Sequence, residues 1–126
     1  MKLASIDVGL KRIGVAICLT SNIVTPQTAI LRKNRDQAAH DVNSFLKEWE
    51  IEKLIVGFPS ASEEMQKRIK HFVSLLKLQI PYEFQEENMS SIEAEDLIKG
   101  EIKYKRDGRV DSLAAKIILE RYLAKK

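Results

Sequence analysis

Asp7 is the acidic residue of this chain whose setting most suggests chemistry. It lies next to the end of an apolar run, residues 3–8, that predicts a buried strand, and Gly9 follows the run. A carboxylate in such a setting is costly unless it is paired, protonated or bound to a cation. Two cations, Lys11 and Arg12, follow within five residues. The combination is typical of a site that holds a metal ion or handles a phosphate; a turn carboxylate bonded to hairpin backbone is the alternative.

Asp111 is the second acid in an unusual place. It lies near the start of a segment, residues 109–124, that predicts the last helix, and it precedes the small residues Ala114 and Ala115 by three and four positions. This spacing places Asp111 at the end or border of the helix's buried stripe. Because the alanines let the helix approach a sheet closely, Asp111 can lie near Asp7. The alternative is a first-turn acid stabilised by the helix dipole.

The third acidic position is the pair Glu86 and Glu87, which directly follows a predicted strand at 81–85. Side chains alternate along a strand, so only one of the two can share the inward face, and a solvated pair is the alternative. Three separated acids that meet at one end of a sheet would bind Mg²⁺ or Mn²⁺, which prefer carboxylate oxygens. Two such ions can activate water and stabilise the leaving oxygen in phosphodiester hydrolysis.

Other catalytic motifs find little support. The chain has no GxxxxGK[ST], GxSxG or HExxH motif. His40 and His71 fall on separate predicted helices without metal-ligand spacing, so we interpret both as structural or surface residues. The single cysteine, Cys18, excludes an internal disulfide and a CxxC metal site, and its strand setting predicts a small core residue.

Length and composition predict a globular protein of one domain, residues 1–126, with 44% apolar and 31% charged residues. No run approaches the ~20 apolar residues of a membrane span. The opening MKLASIDV predicts a strand rather than a signal peptide. The expected compartment is therefore the cytoplasm.

The net charge of +3 is unevenly distributed. Residues 99–126 carry nine basic and four acidic side chains, a net +5, which leaves −2 for residues 1–98. This asymmetry points to a polyanionic partner such as nucleic acid, with a solvated surface as the alternative for any single lysine. The candidate nucleic-acid-binding residues are Lys11, Arg12, Lys103, Lys105, Arg106 and Arg109.

The hydrophobic pattern predicts the order β-β-β-α-β-α-β-α-α and therefore an α/β fold with a mixed sheet covered by helices. The predicted strands are 3–8, 13–18, a weaker one from about 23 to 31, 54–58 and 81–85. The predicted helices are 36–49, 60–79, 90–99 and 109–124, with a loop at 100–108. Pro26 indicates an irregular or edge position for the third strand. Ser60 with Glu63, and Ser90 with Glu93, fit capping boxes.

Four blocks, in order along the chain, resemble the YqgF/RuvX family of Holliday junction resolvases or pre-16S ribosomal RNA nucleases. They are residues 6–16 (IDVGLKRIGVA), 54–59 (LIVGFP), 86–94 (EENMSSIEA) and 108–115 (GRVDSLAA). The resemblance implies an RNase H-like fold, with a mixed five-stranded β-sheet flanked by α-helices. It also implies that Asp7, one of the Glu86–Glu87 pair and Asp111 form a Mg²⁺- or Mn²⁺-dependent catalytic site, with Glu87 favoured as the working acid.

This chain departs from the family pattern on the substrate side. The family usually has Asp-Glu-Arg where this chain has Glu86, Glu87 and Asn88, so a phosphate or carboxylate contact is lost. The loop after Pro59 is shorter than usual. Resolvases also place an acid at the end of the strand before the second long helix. Here that strand ends at Phe58, and the first acid after it is Glu63.

Three functions are compatible with these residues. The leading one is a metal-dependent endonuclease that acts on structured nucleic acid, in pre-16S rRNA processing or in junction resolution. RNA processing is preferred because a resolvase needs a dimer that spans two symmetric strands, and we expect a monomer or weak homodimer. The second is a non-catalytic nucleic-acid-binding module of the same fold, which Asn88 and the short loop favour. The third, a nucleotide-binding protein of the actin and sugar-kinase type, would need two such lobes.

Overall fold

The computed structural model describes residues 1–20, 22–86 and 109–125, and in the last helix it describes the side chains from Ser112 onward. The strands are β1 (Leu3–Val8), β2 (Arg12–Cys18), β3 (Thr25–Leu31), β4 (Lys53–Phe58) and β5 (Tyr82–Glu86). The helices are α1 (Arg35–Glu48), α2 (Glu63–Leu76) and α3 (Arg109–Ala124). The predicted helix at 90–99 and loop at 100–108 lie outside the described residues.

The five strands form one mixed sheet in the order β3-β2-β1-β4-β5. The first three strands are an antiparallel meander, and β4 and β5 run parallel to β1. The prediction of a mixed five-stranded sheet is confirmed. Since β1, β4 and β5 are parallel, their carboxyl ends lie at one edge of the sheet, which we call the carboxyl edge. Their opposite ends form the amino edge.

Alternation along the strands produces two apolar faces. In β1, Ala4, Ile6 and Val8 pack in a cluster with residues of α1 and α2. Leu3, the first residue of β1, belongs instead to a second cluster with residues of α3, among them Ile118. The sheet is therefore covered on both sides, as its nearly continuous apolar strands require. We call the side that α3 covers the α3 face.

The helix starts differ from the predictions by a few residues. A capping box of Asn34 and Gln37 opens α1. The prediction that Ser60 caps α2 is wrong, because the cap is Ser62, whose side chain accepts a hydrogen bond from the Met65 backbone N–H. Ser62 stands directly before the acidic first turn of α2, a position that suits both capping and the helix dipole.

The edge strand β3 contains Pro26, as predicted, and its pairing with β2 shifts register between Ile13 and Val15. Cys18 is a buried core residue, as expected. His40 and His71 are both exposed, on α1 and α2 respectively. Among the helices that the structure describes, none has the length and apolar character needed to cross a membrane.

Candidate active site at the carboxyl edge

Asp7 lies next to the last residue of β1 and is buried, with only 8% of its surface exposed. It pairs with Gly14 of β2. Ile6 pairs with Val56 of β4, so the same register carried one residue further places Asp7 beside Gly57. A glycine therefore lies on each side of this buried carboxylate.

These residues share the α3 face. Ser5, two residues before Asp7, donates a hydrogen bond of 2.6 Å from its hydroxyl to the Ala115 carbonyl of α3, which fixes the face of the odd-numbered residues of β1. Ile55 of β4 packs with α3 residues, so Gly57, two residues on, has the same orientation. Because glycines have no side chains, neither Gly14 nor Gly57 contributes a side chain to the α3 face beside Asp7.

The start of α3 lies over this part of the sheet. The Val15 backbone N–H donates to the Ser112 hydroxyl at 3.5 Å, and Val15 directly follows Gly14. Ser112 is fully buried, and Ala114 and Ala115 are buried as well, so the predicted close approach of the helix is confirmed. Asp111 is in the first turn of α3, one residue before Ser112. The side chains of Arg109 and Asp111 lie outside the described residues.

Glu86 lies on the other side of the sheet from Asp7. It is the last residue of β5 and pairs with Phe58, whose ring packs against the cluster of α1 and α2. Its carboxylate accepts a hydrogen bond of 3.0 Å from the Ser60 hydroxyl. Glu87 lies outside the described residues.

The turn between β1 and β2 presents two of the candidate basic residues. The Gly9 backbone N–H donates to the Arg12 carbonyl at 2.9 Å, which closes the turn. Lys11 is exposed, and Arg12 is half-buried at the start of β2. A Cβ on residue 9 would lie 2.6 Å from the Arg12 carbonyl oxygen, so the turn needs glycine there.

Arg32, which directly follows β3, stabilises the same turn through hydrogen bonds. Its guanidinium donates to the Gly9 carbonyl at 3.0 Å, and its backbone N–H donates to the Lys11 carbonyl at 2.9 Å. The guanidinium also lies 5.5 Å from the centre of the Phe72 ring. The sequence does not indicate this role of Arg32, because nothing local connects it with a turn more than 20 residues earlier.

Gln85 and Ser112 were also missed as site residues. Gln85 pairs with Gly57 and is 4% exposed. A signal existed for Ser112, because a small polar residue next to Asp111 at the start of an apolar helix suggests a contact with backbone.

Within residues 1–20, 22–86 and 109–125, no three His, Cys, Asp or Glu residues form a group that could hold a metal ion. Two of the predicted acids, Glu87 and Asp111, have no described side chain. The predicted basic residues Lys103, Lys105 and Arg106 lie outside the described range. The structure thus describes Asp7, its strand neighbours and the backbone start of α3.

The model of a family described as "RuvX: Holliday junction resolvase" matches residues 1–125. The chain belongs to the RuvX family. A protein of Sulfurovum sp. (strain NBC37-1) is 66% identical to it, covering 98% of this chain and 99% of the relative. A protein of Sulfurimonas denitrificans is 51% identical, covering 100% of this chain and 99% of the relative. Both relatives carry the name "Putative pre-16S rRNA nuclease".

Solved resolvase structures share the fold of this RuvX-family chain. The Fowlpox virus Holliday junction resolvase has a TM-score of 0.61 at 15% identity, over 97% of this chain and 99% of that one. RuvC of Thermus thermophilus has a TM-score of 0.53 at 10% identity, over 99% and 95%. The sheet order, the helices on both faces and these neighbours identify an RNase H-like α/β fold, as the sequence resemblance implied.

Proposed function

We propose that this chain is an endonuclease that hydrolyses phosphodiester bonds in structured nucleic acid, with the 5′ end of pre-16S rRNA as the first candidate substrate and Holliday junctions as the second. The observation that carries the proposal is the buried Asp7, held between Gly14 and Gly57 under the start of α3. Relatives named as pre-16S rRNA nucleases match over nearly their whole length, which supports the RNA substrate.

The residues at the carboxyl edge fit a divalent ion. The donor set is made of hard oxygens: Asp7, and by our proposal Asp111 and Glu87. Gly14 and Gly57, the strand neighbours of Asp7, contribute no side chain that would keep an ion from the carboxylate. Bound Mg²⁺ or Mn²⁺ would supply a water of lowered pKa and stabilise the leaving oxygen.

Register favours Glu87 over Glu86 as the third acid. Glu86 has the orientation of the α1 and α2 side and accepts a hydrogen bond from Ser60. We propose that Glu87 acts on the α3 face, because alternation continued by one residue beyond β5 would give it the orientation of Gln85, which shares the face of Asp7. Glu86 would then support the loop after Pro59, and Glu87 would act in catalysis.

The basic residues of the chain would hold the phosphates. Lys11 is exposed in the β1–β2 turn, and Arg12 lies on the α3 face by the same alternation that places Gly14 there. With Lys103, Lys105, Arg106 and Arg109 they would neutralise backbone phosphates around Asp7, without reading bases. We further propose that residues 1–126 form one nuclease domain and that the protein acts in the cytoplasm as a monomer or weak homodimer.

A cleavage assay tests this function. Purified protein is incubated with labelled pre-16S rRNA fragments and with four-way DNA junctions, each in Mg²⁺, in Mn²⁺ and in EDTA. We expect ion-dependent cleavage of the RNA, lost in EDTA. Cleavage of the junction alone would contradict the RNA assignment, and cleavage of neither would contradict the nuclease.

A non-catalytic binding module of the same fold is the second candidate, favoured by Asn88 in the place of the family's usual arginine. It predicts salt-sensitive binding of the same RNA without products in any of the three conditions. A gel-shift measurement run beside the cleavage assay distinguishes the two candidates.

A further inference from the structure

Gln85 carries a polar atom whose burial the fold does not explain. The residue is 4% exposed, and its amide nitrogen lies 3.5 Å from the Glu86 carbonyl oxygen. Its amide oxygen, Oε1, is the only buried side-chain nitrogen or oxygen without a hydrogen-bond partner among the residues that the structure describes. Buried polar atoms are almost always bonded, so an exception calls for an explanation such as an ion or a ligand.

The place of Gln85 in the sheet suggests the explanation. Gln85 pairs with Gly57, and Gly57 lies beside Asp7 in the register of β1 and β4. Strands in a sheet are about 4.8 Å apart, so the backbones of Asp7 and Gln85 are separated by about 10 Å. The one residue between them has no side chain. The Asp7 carboxylate and the long Gln85 amide side chain therefore lie on the same face of the sheet, two strands apart.

The chemistry of an amide oxygen suits a metal site on this face. Amide and carboxylate oxygens are both hard donors of the kind that Mg²⁺, Mn²⁺ and Ca²⁺ accept. A neutral ligand adds no repulsion to a site that already gathers acids, whereas a further carboxylate would add it. Gln85 also lies on β5, a different strand from Asp7, so it would fix the ion from a second direction.

We propose that Gln85 Oε1 is an additional oxygen ligand of the divalent-ion site, bound to the ion directly or through one water that the ion holds. This inference rests on the proposed ion-dependent nuclease and deepens it, since it adds a residue of neutral charge to the predicted acids.

Manganese binding by the full-length chain tests the inference without an activity readout. Free Mn²⁺ is measured by electron paramagnetic resonance during titration, and the unfolding temperature is measured in EDTA and in excess Mn²⁺. The variants are Gln85→Met, which keeps the shape but removes the oxygen, Gln85→Glu and Asp7→Asn. Gln79→Met is the matched control, because Gln79 is exposed and precedes β5 at the amino edge.

We expect Gln85→Met to weaken Mn²⁺ binding about tenfold, as the loss of a supporting ligand does at other metal sites. In EDTA the variant should unfold at the same or a higher temperature, because an unbonded buried oxygen has been removed. The rise in unfolding temperature on adding Mn²⁺ should shrink. Gln85→Glu should bind Mn²⁺ more tightly than the parent, and Gln79→Met should behave like the parent.

The outcomes separate the two proposals. If the parent does not bind Mn²⁺, or Asp7→Asn binds it as the parent does, the proposed ion site itself is wrong. If Asp7→Asn loses the ion but Gln85→Met and Gln85→Glu both bind it with parental affinity, the site stands and Gln85 is only a core residue. Should Gln85→Met fail to fold, the isosteric Gln85→Glu decides, and an unchanged affinity there overturns the inference.

Discussion

The α3 face of the sheet is built differently at its two ends. At the amino edge, the Lys53 ammonium lies 2.8 Å from the Tyr122 hydroxyl and 3.2 Å from the Glu83 carboxylate. Each of these three groups has a partner from another element, and the contacts join α3 to β4 and β5. At the carboxyl edge, a buried carboxylate lies between two glycines, and a buried amide oxygen has no hydrogen-bond partner.

One face of the sheet can therefore serve two purposes. Paired charges at the amino edge satisfy each other and need no ligand, so they act in holding the helix to the sheet. At the carboxyl edge, the buried Gln85 amide oxygen has no hydrogen-bond partner, which costs stability unless something binds it. Such a local departure from the pairing of buried polar groups is expected at functional sites.

The largest contrast should come from neutralising one acid at each end. Asp7→Asn should abolish cleavage, with folding intact or improved in EDTA, because a buried charge is removed when no ion is present. Glu83→Gln is the matched control at the amino edge and should keep parental cleavage. Rates on the labelled RNA and unfolding temperatures check both. Wild-type cleavage by Asp7→Asn would end the metal-site interpretation.

Removing the basic residues Lys103, Lys105 and Arg106 should have the next largest effect. Alanine at Lys103, Lys105 and Arg106 together should weaken binding of all RNA sequences and flatten the salt dependence by about two to three log units per log unit of salt, since each phosphate contact contributes about 0.7–0.9. Binding isotherms over a range of salt concentrations measure this slope.

The control for that triple variant replaces three exposed lysines elsewhere, Lys47, Lys67 and Lys125, and should leave the slope close to the parental value. Equal slopes for the parent and the Lys103, Lys105 and Arg106 variant would show that these three residues do not contact phosphates and are only solvated surface residues.

The turn that follows Asp7 gives a smaller, structural test. Gly9→Ala should lower the free energy of unfolding by about 1–3 kcal/mol, because its Cβ would meet the Arg12 carbonyl oxygen at 2.6 Å and strain the backbone. Cleavage should fall as well, since the turn carries Lys11 and Arg12. Leu10→Ala, at an exposed position of the same turn, is the control. Urea unfolding measures the change, and parental stability in Gly9→Ala would contradict the turn geometry.

The smallest effect should come from the amino edge. Hydrogen bonds that the Lys53 ammonium donates to Tyr122 and then to Glu83 raise the pKa of Lys53 above its ordinary value of 10.5. The stabilisation from its charge is therefore complete below pH 10.5 and is lost as the pH rises through the raised pKa. Lys53→Met should cleave like the parent and be slightly less stable at neutral pH, and the difference should narrow in strongly alkaline solution. A difference in unfolding temperature that grows with pH would contradict this assignment.

Much of the fold could be predicted because the pattern is local. The apolar runs 3–8 and 13–18 predicted β1 and β2, and the alanines of α3 predicted the close approach of this helix to the sheet. The start of α2 could not be placed from Ser60 and Glu63, since Ser62 offers an equally good cap and only the path of the chain after Pro59 chooses between them. The strand pattern also could not show which of Glu86 and Glu87 lies on the face of Asp7, because a shift of one residue in register exchanges the two faces.

The family and the mixed sheet could be predicted from the sequence, because strand and helix periods and short motifs lie in neighbouring residues. The site acids Asp7, Glu87 and Asp111 stay a prediction from the same motifs. The tertiary structure was needed to show that Asp7 lies between Gly14 and Gly57 and that Arg32 bonds to the turn after Asp7. It was also needed to show that Gln85 lies on the same face as Asp7 and that the Gln85 amide oxygen has no hydrogen-bond partner. Those facts depend on which strands are neighbours and in what register. Pairing joins residues such as Asp7 and Gln85 that lie far apart in the chain, so no local pattern records it.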